Sequence, residues 1–195
     1  LTESYVGAKD VEKANHHQSF QVFISKKYYG INNLQVDESL NKLAQWYKRT
    51  GQIYSEREIH RELLNRQETR KESDMASLVE TYKNLSFSHR REGMDLFQSI
   101  NPLKEAIEAI NLMDTPDLNL KFEVLLDLGD TYISFGRIQA AKKAYLECWM
   151  LINEDQLMRE IIEDRFSEPV RVRNVQIPKT FPLPIIGEEI GETMP

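Results

Sequence analysis

Reactive side chains are few: four histidines and one cysteine in 195 residues. His16 and His17 are adjacent, and on a helix their side chains diverge by about 100°, so they cannot easily share a metal ion. His60 lies in a run of alternating charge, the pattern of a solvent-facing helix with ion pairs at a spacing of four, and reads as a solvated or groove-edge residue. His89 sits in Ser-His-Arg-Arg-Glu, which reads either as a charged helix end or as a small anion site. Cys148 falls at a helix-packing position, where a thiol is buried and inert. No H-E-x-x-H, C-x-x-C or phosphate-cradling glycine loop occurs, so the usual zinc and nucleotide patterns are missing. Asn84-Leu85-Ser86 fits a glycosylation sequon, but its place inside a helical stretch leaves it without meaning. Arg90-Arg91 and Arg171/Arg173 are too short to form a nucleic-acid stripe. The sequence thus offers no catalytic residue, no metal site and no cofactor. It points to a surface rather than to an enzyme.

The totals agree with that. Charged residues make up 29% of the chain and the net charge is −6, a balance that suits a well-solvated helical protein and argues against a nucleic-acid partner. The length suffices for one domain with a sizeable core. One cysteine excludes an internal disulfide and leaves the compartment open. No stretch approaches the ~20 apolar residues that span a bilayer. The first residue is Leu1 rather than methionine, as expected of a processed or excised chain.

The elements that must carry such a surface are clearest in residues 125–148, which read as two helices broken at Phe135-Gly136. Gly129, Ala140, Ala141 and Ala144 are small where the helices must touch. Leu125, Leu128, Tyr132 and Tyr145 fill the space around them. Antiparallel helices ~8–10 Å apart require small side chains at the crossing. The pattern resembles the tetratricopeptide repeat (TPR), a helix–turn–helix unit of ~34 residues. Leu128-Gly129, Tyr132, Gly136, Ala141 and Tyr145 match the family's positions, whereas Cys148 replaces an alanine and Asn153 a proline. LAQWYKRTG at 43–51 repeats the spacing of LGDTYISFG at 128–136. The longer spacing of the first half resembles kinesin-light-chain-like TPRs.

Taken in order, a first helix is expected over 9–28, with Ala14, Phe20, Phe23, Ile24 and Tyr28 inward. Asp37 is the expected N-cap of a second, with Leu40, Leu43, Ala44 and Tyr47 inward and Thr50-Gly51 at its end. Ser55 with Glu58 predicts a capping box for a third, which turns Ile59, Leu63 and Leu64 inward; Glu56 stands there in place of the first packing alanine. A fourth starts near Ser73, with Ala76, Leu78, Val79, Tyr82 and Leu85 inward and Tyr82 in the place of Tyr47. It is expected to run one or two turns long, because Gly93 comes late. Asn101-Pro102 reads as cap and first residue of a fifth, with Leu103, Ala106, Ile107 and Ile110 buried. After the hairpin at 122–153, a closing helix over 154–166 with Leu157, Ile161, Ile162 and Phe166 inward would cover the last apolar face. The expected fold is all-α: an α-α superhelix of TPR-like hairpins over 1–166, followed by an extended proline-rich tail or linker over 167–195.

That tail holds Pro169, Pro178, Pro182, Pro184 and Pro195, and Val170 and Val172 alternate with Arg171 and Arg173 in a strand-like way. It resembles the run into TonB-type C-terminal domains of bacterial envelope proteins. The resemblance implies the periplasm or cell envelope, with the cytoplasm as the alternative.

The TPR resemblance implies a non-enzymatic scaffold whose successive first helices line a concave groove for a peptide or partner domain. By position, the groove residues are Glu38, Asn41, Gln45 and Lys48, then Ala76, Glu80 and Lys83, then Glu123, Leu126, Asp130 and Ile133. Asn41 and Gln45 do not reproduce the family's carboxylate clamp, and Glu123 and Asp130 would repel a C-terminal carboxylate. The acidic last segment suits a basic or neutral peptide. Two alternatives stay open: the tail fills the groove, or the groove is a sensor's site for a small ligand.

Overall fold

A computed structural model describes residues 11–70, 74–93, 95–151, 160, 171–172 and 175–176. Among these the fold is all-α. Seven helices follow one another: α1 Val11–Tyr29, α2 Leu34–Arg49, α3 Ile53–Thr69, α4 Met75–Glu92, α5 Leu96–Asn111, α6 Leu118–Ser134 and α7 Ile138–Leu151. Each packs against its neighbours in the chain, and α4 also touches α6. A two-residue antiparallel pairing joins Arg171–Val172 to Val175–Gln176. The expected closing helix, apart from the helical Glu160, and the remainder of the tail lie outside the described residues, as do Lys9 and Ser73.

Helix starts are set by carboxylates and amides more than by the residues singled out in the sequence. Asn33, Asp74, Asp95 and Asp117 each accept a backbone N–H of the first turn, which satisfies a donor the helix itself leaves open. Three expected caps are displaced. Asp37 is not the cap of α2 but lies buried in its first turn, where Arg66 and Arg70 of the α3 end reach its two oxygens at 2.6 and 2.8 Å. Ser55 lies inside α3, whose cap position is Gln52, with no side-chain cap bond. Asn101-Pro102 lies inside α5, since Asp95 caps that helix through Gln98 N at 2.9 Å. Burial of Ser99, Ile100 and Pro102 helps offset the backbone bond that the proline cannot donate.

The core runs between consecutive helices. Trp46, Leu40, Leu43 and Leu63 pack with Ala14 and Val22 at one end; Val79, Leu103, Ile110 and Val124 pack in the middle; Phe122, Leu125, Ala141, Tyr145 and Cys148 pack between α6 and α7. Gly129 lies directly under Tyr145, so that an added Cβ would meet the ring at Cε1, Cδ1 and Cζ. This is the close approach that the small residues predict.

Helix α1 departs from expectation. Only its small side, Ala14 with Val22 and Ser25, is buried. Phe20, Phe23, Ile24 and Tyr28 are exposed, by 51, 57, 45 and 80%. Its main packing partner among the described residues is α2, and Lys26 also reaches Glu62 of α3 at 2.6 Å. The chain therefore buries the narrow side that allows close contact and polar ties: Trp46 Nε1 donates to Asn15 Oδ1 at 2.7 Å and Asn15 Nδ2 to Gln52 Oε1 at 2.9 Å.

Candidate partner-binding groove

Gly51, Gly93 and Gly136 close α2, α4 and α6 at φ of 72, 76 and 72°, a left-handed turn that glycine adopts without strain. They give the three helices a common register. Counting back four residues from each gives Tyr47, His89 and Tyr132. From sequence Tyr82 is expected in that series; the turn glycine puts His89 there, buried where a tyrosine ring sits in the other two. Counting back seven gives Ala44, Ser86 and Gly129. Ser86 is fully packed, and its hydroxyl donates to Ser99 O at 2.5 Å across α4 and α5. Helix α4 is one or two residues longer than α2 and α6, not one or two turns.

The same register assigns the outward row of α4. Glu38, Asn41, Gln45 and Lys48 of α2 correspond to Glu80, Lys83, Phe87 and Arg90 of α4. Ala76 falls outside the series, near the Asp74 cap, to which its own N–H donates. Two adjoining cavities follow this row. One of about 340 Å³ is lined by Asn41, Ala44, Gln45, Lys48, His60, Glu80 and Asn84. The other, about 180 Å³, is lined by Lys48, Glu80, Lys83, Asn84, Ser86, Phe87, Arg90, Leu103, Asp127 and Thr131. Lys48, Glu80 and Asn84 belong to both. Of the residues named from sequence, Asn41, Gln45, Lys48, Glu80 and Lys83 come together here. Phe87, Arg90, Asn84, Asp127 and Thr131 were missed, whereas His60 lines the first cavity from the groove edge. The turn glycine was the signal for Phe87 and Arg90.

The α6 residues behave differently. Glu123 reaches Lys83 at 2.9 Å. Asp130 accepts from Tyr145 Oη at 2.6 Å and so is turned to α7. Leu126 and Ile133 pack against the α6–α7 core. Neither cavity includes any of these four. Glu38 is exposed and accepts from Gln35 Nε2 at 3.3 Å.

Electrostatics divide the site in two. Lys83 gathers the acids: Glu80 at 3.6 Å, Glu123 at 2.9 Å and Asp127 at 3.9 Å. Burial works against the Lys83 ammonium, but the bond to Glu123 and the charges of Glu80, Glu123 and Asp127 outweigh it and raise its pKa. Burial raises the carboxyl of Asp127 despite Lys83 and Arg90. The cations instead surround Phe87, with Lys48 Nζ at 5.0 Å, Arg90 Cζ at 5.4 Å and Arg91 Cζ at 5.6 Å from the ring centre. Arg90 also donates to Thr131 Oγ1 at 3.3 Å.

Beneath the groove, α3 and α4 share buried polar groups. Glu56 is completely buried; Arg91 Nη1 reaches one oxygen at 3.0 Å, and the other, Oε1, has no hydrogen-bond partner. Burial raises the Glu56 carboxyl against the pull of Arg91 and Lys48. Arg57 pairs with Glu92. Burial pushes His60 down to about 4, with Lys48 adding to it; His89 is held at about 4 by burial and by Arg57 and Arg61, against Asp95. Both imidazoles are therefore neutral at pH 7, and both Nδ1 atoms lack a hydrogen-bond partner. Cys148 Sγ donates to Phe122 O at 3.7 Å, and burial pushes its thiol up to about 12, away from the nucleophilic thiolate.

Among the described residues no group of three or more His, Cys, Asp or Glu is placed to hold a metal ion, and no helix is long and apolar enough to cross a membrane. No family model and no curated protein matches the chain. Among solved structures 28 chains match. One is the crystal structure of BtubC (BKLC) from P. vanneervenii, at 18% identity and a TM-score of 0.60, over 92% of this chain and 68% of that one. At this identity the likeness is one of fold.

Proposed function

We propose that the chain is a TPR-like helical-repeat module, coiled as an α-α superhelix, that holds an extended segment of a protein partner against α2, α4 and α6. The spacing of leucine, small residue, ring and turn glycine recurs in these three helices, and each alternates in the chain with a helix that supports it. Such stacking leaves one face of the alternate helices to a ligand.

The observation that carries the reading is the junction of the two cavities at Lys48, Glu80 and Asn84. It makes one continuous furrow, rich in side-chain amides. Asn41, Gln45 and Asn84 offer both donors and acceptors, which suits the alternating N–H and C=O groups of an extended peptide. An apolar small ligand would leave these groups unpaired, at a cost in affinity.

The test is affinity capture with the full chain, comparing wild type with Gln45→Trp and Asn84→Trp, which fill the furrow. Specific partners should be lost from the variants while the circular-dichroism melts remain unchanged. Full retention of every partner by both variants would sink the reading.

A further inference from the structure

We infer that the groove contains an anion subsite, formed by Lys48, Phe87 and Arg90, that receives one acidic side chain of the partner segment. The inference rests on the groove reading and adds the chemistry of its occupant. Three cations lie around one half-buried ring. Arg91 is compensated by the buried Glu56. Among the described residues, Lys48 and Arg90 have no carboxylate within ion-pair distance. The ring draws the cations in by its quadrupole; Glu56 and Asp127 act on Lys48 and Arg90 through charge without pairing with them, so part of the cations' mutual repulsion stays until an anion arrives. A carboxylate seated between Lys48 Nζ and the Arg90 guanidinium would relieve it, with its methylene groups laid on the Phe87 ring.

Lys83 collects Glu80 and Asp127 of the same furrow and Glu123 beside it, on the α6 side. These acids set the limit of the subsite. A polyanion such as a nucleic acid or a run of acidic residues would meet Glu80, Glu123 and Asp127. A single acidic residue with non-acidic neighbours would not. This changes the expectation drawn from Glu123 and Asp130, because those acids are already occupied by Lys83 and Tyr145.

The experiment is fluorescence anisotropy of the full chain with labelled short-peptide pools. One central position is fixed as Glu, Gln or Lys, and the flanks are random but non-acidic. The Glu pool should bind about 10-fold more tightly than the Gln pool. Lys48→Glu, at an exposed position, should cancel that preference, and Lys48→Glu with Arg90→Glu should shift it to the Lys pool. Equal or tighter binding of the Gln or Lys pool to wild type would overturn the subsite and leave the groove standing. Binding of no pool, with captured partners retained by Gln45→Trp and Asn84→Trp, would overturn both. If Glu-pool binding appears only in a full chain carrying Glu188→Lys and Glu189→Lys, the chain's own acidic end is the occupant and the partner assignment falls.

Discussion

Single residues decide how closely the helices approach. Gly129 is the sharpest case, since Tyr145 Cδ1 would stand 2.7 Å from an added Cβ. Gly129→Ala should therefore cost about 2–3 kcal/mol, read as a lowered midpoint in urea melts. A midpoint within error of wild type would show that Tyr145 swings away freely. The ring is tethered through its hydroxyl to Asp130, so Tyr145→Phe with Gly129→Ala should recover part of the loss. Asp37 is a second case. It joins two arginines that also reach backbone carbonyls of the α1–α2 loop: Arg66 to Ile31 and Asn33, Arg70 to Asn32. Asp37→Ala strands both guanidinium groups and should cost about 3 kcal/mol; a cost under about 1 kcal/mol would mean that water replaces the carboxylate. The sequence showed Gly129 plainly, because small residues at a fixed spacing admit few explanations. It misplaced Asp37, because a carboxylate near a helix start looks the same whether it caps the helix or binds an arginine from a distant one.

At the scale of elements, existence and order were legible and registers were not. The first half of each hairpin ends in a glycine that the sequence displays, and at 51 and 136 a tyrosine stands four residues before it. At 93 a histidine stands there instead, so Tyr82 attracts the pattern and Phe87 and Arg90 fall outside the expected site. Helix α1 failed for another reason: hydrophobic periodicity marks an apolar side but not which neighbours exist to cover it. The α3–α4 contact, with two neutral histidines, carries its own prediction. Their folded pKa values lie near 4, below the usual 6.5. The unfolded chain therefore takes up protons first, and stability falls as pH drops from about 6.5 towards about 4. Glu56, whose raised carboxyl favours the folded state on acidification, offsets part of that loss. Urea melts over that window should show the decline, and His60→Asn with His89→Asn should flatten it. An equal slope in the double variant would assign the acid sensitivity to other groups.

For the molecule as a whole, most contacts join helices adjacent in the chain. Stability in such an array is close to a sum of local terms, and opening starts where neighbours are fewest. Hydrogen exchange should then be slowest in α4, α5 and α6, which share the largest core cluster, and fastest in α1. Protection of α1 equal to that of α5 would mean that something further covers its aromatic side. The pairing of α4 with α6 departs from the neighbour rule, and Lys83 spans it with Glu123 and Asp127. That bridge is partly open to water, so dissolved ions screen it. Brine should therefore loosen this one tie between α4 and α6 while their shared apolar contacts hold.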